Sequence, residues 1–238
     1  LEEGVKFAKD VFFPLSAEGD KIGAKWDAGT VTVPEGTQEA WDLMKENSLI
    51  GMNMNPEYGG MGLPECVMTA VSDVFVGANP ALTLTPMLTV GAGHLIESFG
   101  TQELKDIYVE KMYTGEWAGT MCLTEAGAGT DVGASKTKAY RNDDGTFRIE
   151  GNKIFITSGD HGLAPNIIHA VLARIEGDSP GTKGISLFLV PKYLVNEDGS
   201  LGEFNDVVCT GIEEKMGIHG NSTCSMALGG KGKCRGLL

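Results

Sequence analysis

The chain has 238 residues, of which 42% are hydrophobic, so it is long enough for one large or two medium domains with a substantial core. Its formal net charge of −13 argues against nucleic-acid binding, which draws on phosphate neutralisation by Lys and Arg. No run of about 18 apolar residues predicts a membrane span, and the acidic, amphipathic N-terminus lacks the features of a signal peptide.

The cysteines and histidines indicate the kind of compartment and exclude some chemistry. Five widely spaced cysteines without a C-x-x-C pair argue against a disulfide scaffold or a zinc site. None of the four histidines forms an i, i+4 pair across an acid, so we expect no metal site. We therefore expect a cytoplasmic protein. Because the first residue is Leu1 rather than Met, we also expect the chain to begin partway into its gene product.

The first half of the chain is predicted to be helical. Thr37 should cap a helix with an apolar face. Pro64 suits the first residue of a second helix, whose apolar run extends to Val76. A more apolar helix is predicted over 85–99, and Thr101 should cap another whose apolar residues repeat at helical spacing.

From Trp117 onward, the pattern changes to short strands separated by turns. Asn142-Asp143-Asp144-Gly145 is a strong hairpin signal. The predicted strands are 136–140, 146–150, 153–157, 167–175, 185–190, 207–215 and 225–228. We therefore predict an α+β fold, with an N-terminal helical domain over 1–118 followed by a small antiparallel β-barrel middle domain over 119–238.

The stretch TMCLTEAGAGTDVGASKTKA (120–139) places an acid, several glycines and several hydroxyls between two predicted strands. Gly127 and Gly129 would allow positive φ and a close approach of the backbone to a ligand, and hydroxyls at Thr124 and Thr130 suit an oxygen-rich, partly anionic molecule. The G-x-G-x-x-x-G spacing, followed by a strand, is not a Rossmann fingerprint. Taken alone, such a stretch is more often an ordinary glycine-rich loop.

A second stretch, GNKIFITSG (151–159), carries an aromatic residue close to a hydroxyl. Strand alternation predicts that Phe155 and Thr157 share one face and that Ile154 and Ile156 share the other. An aromatic beside a hydroxyl suits a flat heteroaromatic ring, although a barrel strand with mixed faces would give the same pattern. His161, after this strand, is predicted to cap the following loop rather than to react.

Together, these two stretches resemble the flavin-binding middle domain of the acyl-CoA dehydrogenase family. Further stretches match in the family's order, and the resemblance covers nearly the whole chain: IGMNMNPEYGGMGLP (50–64), FGTQELKDIYVEKMYTGEW (99–117), KGISLFLVPK (183–192) and EEKMGIHGNSTC (213–224). The segments NEDGSLGEFND (196–206) and EKMGIHG (214–220) look most like the larger members of the family, such as methylthio-propionyl-CoA dehydrogenases.

The resemblance implies FAD as cofactor, an acyl-CoA as substrate and an electron-transfer flavoprotein as acceptor. The implied FAD contacts are Met121, Leu123, Thr124, Thr130, Phe155, Ile156 and Thr157, and the implied substrate contacts are Thr130, Ser222 and Thr223. Many family members have Trp at the position of Phe155 and Arg at that of Cys224, and several have Tyr at that of Met121. Glu125 is structural in relatives, so we do not expect it to be the base.

The implied reaction is α,β-dehydrogenation of the acyl-CoA thioester. In the family, a helical bundle that follows these domains donates the catalytic glutamate, so we expect the base beyond Leu238, no catalytic residue within the chain and no turnover from it alone. An acyl-CoA oxidase, or a non-catalytic flavin or acyl-CoA binding module, are the alternatives. Homo-oligomers are expected, because apolar surface left uncovered usually marks an interface.

Overall fold

Helices occupy the first half of the computed structural model, which describes residues 1–196 and 198–238. They are α1 (Glu2–Phe7), α2 (Phe13–Ile22), α3 (Thr37–Glu46), α4 (Glu65–Ala78), α5 (Pro80–Phe99) and α6 (Gln102–Tyr113). A π-helical turn at Ala8–Phe12 joins α1 to α2, and the hairpin β1 (Lys25–Asp27) and β2 (Thr30–Thr32) follows α2. No helix in the described ranges is both long and apolar enough to cross a membrane.

Helix α5 begins at Pro80, earlier than the sequence predicts, because Asn79 is its N-cap. The Asn79 side-chain oxygen accepts a hydrogen bond from the Leu82 N–H at 3.2 Å. Its amide nitrogen donates to the Phe12 carbonyl, also at 3.2 Å. Asn79 is buried, so one side chain both caps α5 and satisfies the backbone of the preceding π-helical turn.

The other predicted caps have mixed outcomes. Thr101 is confirmed as the N-cap of α6, where its Oγ1 accepts from the Leu104 N–H at 3.4 Å. At α3 the prediction was wrong by one position, because Gly36 is the cap and Thr37 is the first helical residue. Gly36 has a φ of 83°, a left-handed conformation that favours glycine.

Replacing Asn79 with Ala should therefore lower the free energy of unfolding by about 2 kcal/mol, since the cap is lost and the Phe12 carbonyl is left without its partner. Thr101→Ala removes only an exposed cap and should cost about 1 kcal/mol or less. Urea denaturation of both variants measures the difference. Equal losses would contradict the dual role of Asn79.

The second half of the chain forms strands. They are β3 (Ala118–Cys122), β4 (Lys138–Arg141), β5 (Phe147–Thr157), β6 (Ile167–Ile175), β7 (Ile185–Pro191), β8 (Tyr193–Val195), β9 (Leu201–Phe204), β10 (Val207–Glu213), β11 (Thr223–Leu228) and β12 (Arg235–Gly236). β8 and β9 form a separate hairpin. Glu197, within the segment likened to the larger family members, lies outside the described residues.

The predicted antiparallel β-barrel is confirmed only in that this half of the chain forms a β-sheet. The main sheet follows the order β10-β11-β5-β4-β6-β3, with β12 paired to β5 and β7 to β6. Both β3 and β4 run parallel to β6, so the sheet is mixed. Among the described residues this order is open, and the sheet is not closed into a barrel. Alternation and turn spacing predict strands but not their direction, because a parallel pair is joined by a long crossover.

The predicted hairpin is confirmed. Its turn places the Asn142 N–H 2.9 Å from the Thr146 carbonyl oxygen, and Gly145 has a φ of 83°. The two strands predicted over 146–150 and 153–157 are in fact one strand, β5.

The buried apolar side chains form two clusters. The first lies mainly among the helices and includes Trp41, Ile96, Met112 and Trp117, and the second lies against the sheet and includes Ile149, Val171, Phe188 and Val190. Helix α5 packs directly on β3, because a Cβ at Gly119 would lie only 2.9 Å from the Ala92 Cβ. The Gly119 N–H also donates to Thr89 Oγ1 at 3.1 Å, so α5 is held against the start of the sheet.

Candidate functional site

The loop after β3 lies alongside the middle of β5. The Ile154 N–H donates to the Thr124 carbonyl at 2.9 Å. The Lys153 ammonium donates to the Leu123 carbonyl at 3.0 Å. The structure therefore brings together the two stretches that the sequence singled out, and it places Leu123 and Thr124 next to the segment that carries Phe155.

A buried ion pair fixes this loop. Lys153 Nζ lies 2.8 Å from Glu125 Oε1, and the Lys153 side chain is fully buried. The Glu125 carboxylate also accepts from Thr137 Oγ1 at 2.6 Å and from the backbone N–H groups of Lys136 and Thr137 at 2.7 and 3.0 Å. The Ser135 hydroxyl donates to the same carboxylate. The glycine stretch is thus folded back around one carboxylate.

These contacts set the charge state of Glu125. Burial would raise the pKa of the Glu125 carboxyl, but the hydrogen bonds from Lys153, Ser135 and Thr137 outweigh it and hold the pKa at about 2. Burial lowers the pKa of Lys153, and Glu125 opposes that shift. Glu125 is therefore ionised at neutral pH, with its oxygens engaged by donors, which suits a structural role rather than proton abstraction.

The glycines of the loop do not adopt the conformation that the sequence suggested. Neither Gly127 nor Gly129 has a positive φ, so that prediction was wrong. The physical reason is a bridge between Glu125 and Ala128, which closes the turn with ordinary backbone angles. A Cβ at Gly127 would meet nothing within 4 Å, so the protein itself does not require glycine there.

Strand β5 carries a β-bulge at Phe155. Between Lys153 and Ile156 it uses one more residue than the facing part of β11. Phe155 has a φ of 59°, which is rare for a bulky side chain. Phe155 is 47% exposed as a residue, and the Lys215 ammonium lies 5.3 Å from its ring centroid. Bulges commonly re-aim a side chain next to a functional site.

The bulge also overturns the predicted alternation in part. Lys153 pairs with Met226 and Ile156 pairs with Cys224. Because Met226 and Cys224 are two residues apart on β11, the side chains of Lys153 and Ile156 lie on the same, buried face of the sheet. Ile154 is half-buried while Ile156 belongs to the buried cluster, so the shared face predicted for these two was wrong.

The predicted FAD contacts differ in exposure. Phe155 and Thr130 are exposed, Ile156 is buried, and Met121, Leu123, Thr124 and Thr157 are half-buried. A molecule lying on the outer face of β5 would meet the Phe155 ring directly. It would reach Ile156 only through the backbone.

The predicted substrate turn lies beside the end of β5. Thr223 pairs with Thr157 across β11 and β5. Ser222 and Thr223 are both buried, and the Ser222 hydroxyl donates to the Asp160 carbonyl at 2.7 Å. The Lys192 ammonium lies 2.5 Å from Asp160 Oδ1 and forms an ion pair with it. Three predicted residues, Thr157, Ser222 and Thr223, thus lie together.

A polar cluster that sequence reasoning missed fastens α5 to this region. Thr85 Oγ1 and Ser158 Oγ lie 2.7 Å apart. Asn221 donates to the Ser158 hydroxyl at 2.9 Å and accepts from the Ser158 N–H at 3.3 Å. The available signal was Thr85 itself, a hydroxyl residue at the start of the helix predicted over 85–99.

Two buried histidines lie near the site. Burial, with a smaller contribution from Lys192, lowers the pKa of both His161 and His169 to about 3. His161 Nδ1 accepts from the Leu163 N–H at 3.2 Å, which confirms its predicted role in capping the loop. His169 Nδ1 lies 2.7 Å from Thr120 Oγ1. Both rings are neutral at physiological pH.

The left-handed backbone at Phe155 predicts an unusual order of stabilities. Phe155→Gly should be more stable than Phe155→Ala by about 1 kcal/mol, since only glycine adopts this conformation without a Cβ penalty. Phe204 is similarly exposed, at 44%, and does not have a positive φ. Phe204→Gly should therefore be less stable than Phe204→Ala in the same urea titration. The usual order at both positions would show that no strain is stored at Phe155.

Two family models match the chain. The N-terminal domain of acyl-CoA dehydrogenase matches residues 6–116, and its middle domain matches residues 120–229. With the helices, the mixed sheet and the paired stretches already described, these matches show that the chain belongs to the acyl-CoA dehydrogenase family.

Individual relatives agree with this assignment. Over its whole length, the chain is 43% identical to a butyryl-CoA dehydrogenase of Syntrophomonas wolfei, of which it covers 40%. Over 95% of its length, it is 40% identical to a 3-methylmercaptopropionyl-CoA dehydrogenase of Ruegeria pomeroyi, of which it covers 38%. The structure of an acyl-CoA dehydrogenase complexed with FAD from Bacillus anthracis superimposes with a TM-score of 0.76 at 26% identity, over 99% of this chain and 35% of that one.

The chain spans about 40% of the length of the curated relatives it matches. A relative that acts on a methylthio-propionyl thioester is among them, as the resemblance in the sequence predicted.

Proposed function

We propose that the whole protein catalyses the FAD-dependent α,β-dehydrogenation of an acyl-CoA thioester. The exposed Phe155 ring carries this proposal, because it lies next to Thr157 and to the loop at Leu123 and Thr124 in a chain of this family. FAD, when bound, would supply the two-electron acceptor for the oxidation. The chain's own residues would bind and orient the cofactor and the substrate.

The described residues fit a flavin ring. The Phe155 ring would cover a flat heteroaromatic surface, and the half-buried Thr157 hydroxyl would offer one hydrogen bond. The carbonyls of Leu123 and Thr124 are already used by Lys153 and Ile154. The loop therefore offers N–H groups and the Thr124 hydroxyl, which match acceptor atoms on the pyrimidine edge of a flavin.

The remaining proposed FAD contacts are Met121, Thr130 and Ile156. Because the Ile156 side chain is buried, it would contribute only its backbone.

We propose Thr130, Ser222 and Thr223 as substrate contacts. The Ser222 hydroxyl proton is engaged by the Asp160 carbonyl, so its oxygen is left to accept a hydrogen bond. Cys224 is neutral and buried and offers no positive charge to a CoA phosphate. Recognition at this turn would thus depend on hydroxyl and backbone groups.

We propose that Glu125 is not the base, because it is ionised and accepts four hydrogen bonds from protein groups in addition to the one from the Lys153 ammonium. The catalytic glutamate would come from the part of the protein that follows Leu238, as the family resemblance implies. We also propose two domains, 1–118 and 119–238, a homo-oligomeric assembly and an electron-transfer flavoprotein as the acceptor.

Anaerobic stopped-flow mixing of the whole, FAD-loaded protein with a panel of acyl-CoA thioesters tests the proposal. The panel would include butyryl-CoA and 3-methylmercaptopropionyl-CoA. We expect at least one thioester to bleach the flavin absorbance and to yield the α,β-unsaturated product. A flavin that is bound but bleached by no member of the panel would indicate a binding module instead.

Reoxidation of the bleached protein separates the two enzyme classes. Faster recovery of the absorbance with an electron-transfer flavoprotein than with oxygen is expected of a dehydrogenase. The opposite order would favour an acyl-CoA oxidase.

A further inference from the structure

A small cavity of about 20 Å³ lies between the helices and the loop that follows β5. Apolar side chains, among them Phe12, Met44 and Leu163, form part of its wall, and Trp41, His161 and Ser222 also line it. Thr37, Thr85 and Asn221 line it as well, so the wall combines apolar side chains with polar ones that come from separate segments of the chain.

Two of these polar groups are buried without a partner. Trp41 Nε1 and His161 Nε2 have no hydrogen-bond partner among the described residues, and their residues are only 3% and 4% exposed. Because His161 Nδ1 accepts from the Leu163 N–H, the neutral ring carries its proton on Nε2. Both groups are thus N–H donors that need an acceptor, since an unsatisfied buried donor is unfavourable.

We infer that the cavity holds one ordered water molecule that accepts hydrogen bonds from Trp41 Nε1 and His161 Nε2. A single water requires about 10–15 Å³, so the cavity has room for one. Ser222 Oγ donates its own proton to the Asp160 carbonyl and can accept one from the water. About three partners are typical of a buried water.

This water would connect α3 to the turn at Ser222 through hydrogen bonds. Trp41 lies in α3, whereas His161 lies in the loop after β5. The water would fix the position of the Ser222 hydroxyl by a hydrogen bond from the side of the turn that faces α3. This consequence is independent of whether the turn binds an acyl-CoA, because it depends only on contacts within the chain.

Solution NMR on the ¹⁵N-labelled protein tests the inference. The three tryptophans, Trp26, Trp41 and Trp117, give separate indole N–H signals, and loss of one signal in Trp41→Phe assigns it. We expect a strong cross-peak between the Trp41 indole proton and a long-lived water. We also expect long-range ¹H–¹⁵N spectra to show the His161 proton on Nε2.

Trp26 provides the matched control, because its indole Nε1 donates directly to the Cys209 carbonyl at 2.9 Å. Its indole proton should show no cross-peak to a long-lived water. A missing cross-peak at Trp41, or a His161 ring protonated on Nδ1 at neutral pH, would overturn the inference. A high-resolution crystal structure with no density between the two rings would do the same.

Discussion

Replacing Lys153 with Met should lower the free energy of unfolding by about 3–5 kcal/mol, the usual result when one partner of a buried ion pair is removed. The Lys153 side chain is fully buried, and its ammonium serves both the Glu125 carboxylate and the Leu123 carbonyl. The variant would leave Glu125 charged and without its counter-charge. Urea or thermal denaturation measures the loss.

An exposed ion pair gives the control. Lys21 lies 3.7 Å from Glu18 with both side chains well exposed to solvent. Lys21→Met should cost less than about 1 kcal/mol. Similar losses at the two lysines would contradict the account of the Glu125 network. In the whole protein, Lys153→Met should also release FAD more readily, because the Leu123 carbonyl loses its partner.

Acidification below pH 6.5 should destabilise the protein through His161 and His169. Burial lowers the pKa of each ring from 6.5 to about 3. Between these two pH values the unfolded state binds protons that the folded state does not bind. Stability should therefore fall as the pH falls through 6.5 and should continue to fall towards about 3. Each histidine contributes about 1.4 kcal/mol per pH unit well below 6.5.

Urea titrations between pH 7 and about 5 measure this slope above the range in which carboxyl groups titrate. His169→Gln should roughly halve the slope, whatever its effect on stability at pH 7. A slope that is the same with and without His169 would show that the His169 ring is not buried in neutral form.

Much of the helical half could be predicted from the sequence, because helical periodicity and capping are local. Thr101 was found as a cap from its place before an apolar-periodic run. Asn79 was missed although Asn followed by Pro is itself a local signal for a helix start, whereas its contact with the Phe12 carbonyl is distant in the sequence and has no local signal. The strands were predicted where turns bound them, but the parallel direction of β3 and β4 along β6 depends on a crossover that no local pattern encodes.

The sequence singled out two stretches that lie together in the structure, but it did not predict the contacts that support them. The loop at Leu123 and the segment at Phe155 do lie together. Lys153 was overlooked, although a lysine within an apolar strand segment downstream of a conspicuous acid was a readable signal of pairing. The bulge at Phe155 was not predictable from alternation, because it depends on how β5 pairs with β11.

The position of the flavin ring in the whole protein tests the central proposal most directly. A crystal structure of the FAD-loaded protein should place the isoalloxazine on the Phe155 ring, within hydrogen-bonding distance of the Thr157 hydroxyl. The N–H groups of Leu123 or Thr124 should face its pyrimidine edge. A flavin bound elsewhere, with Phe155 and Thr157 still facing solvent, would contradict the proposed site.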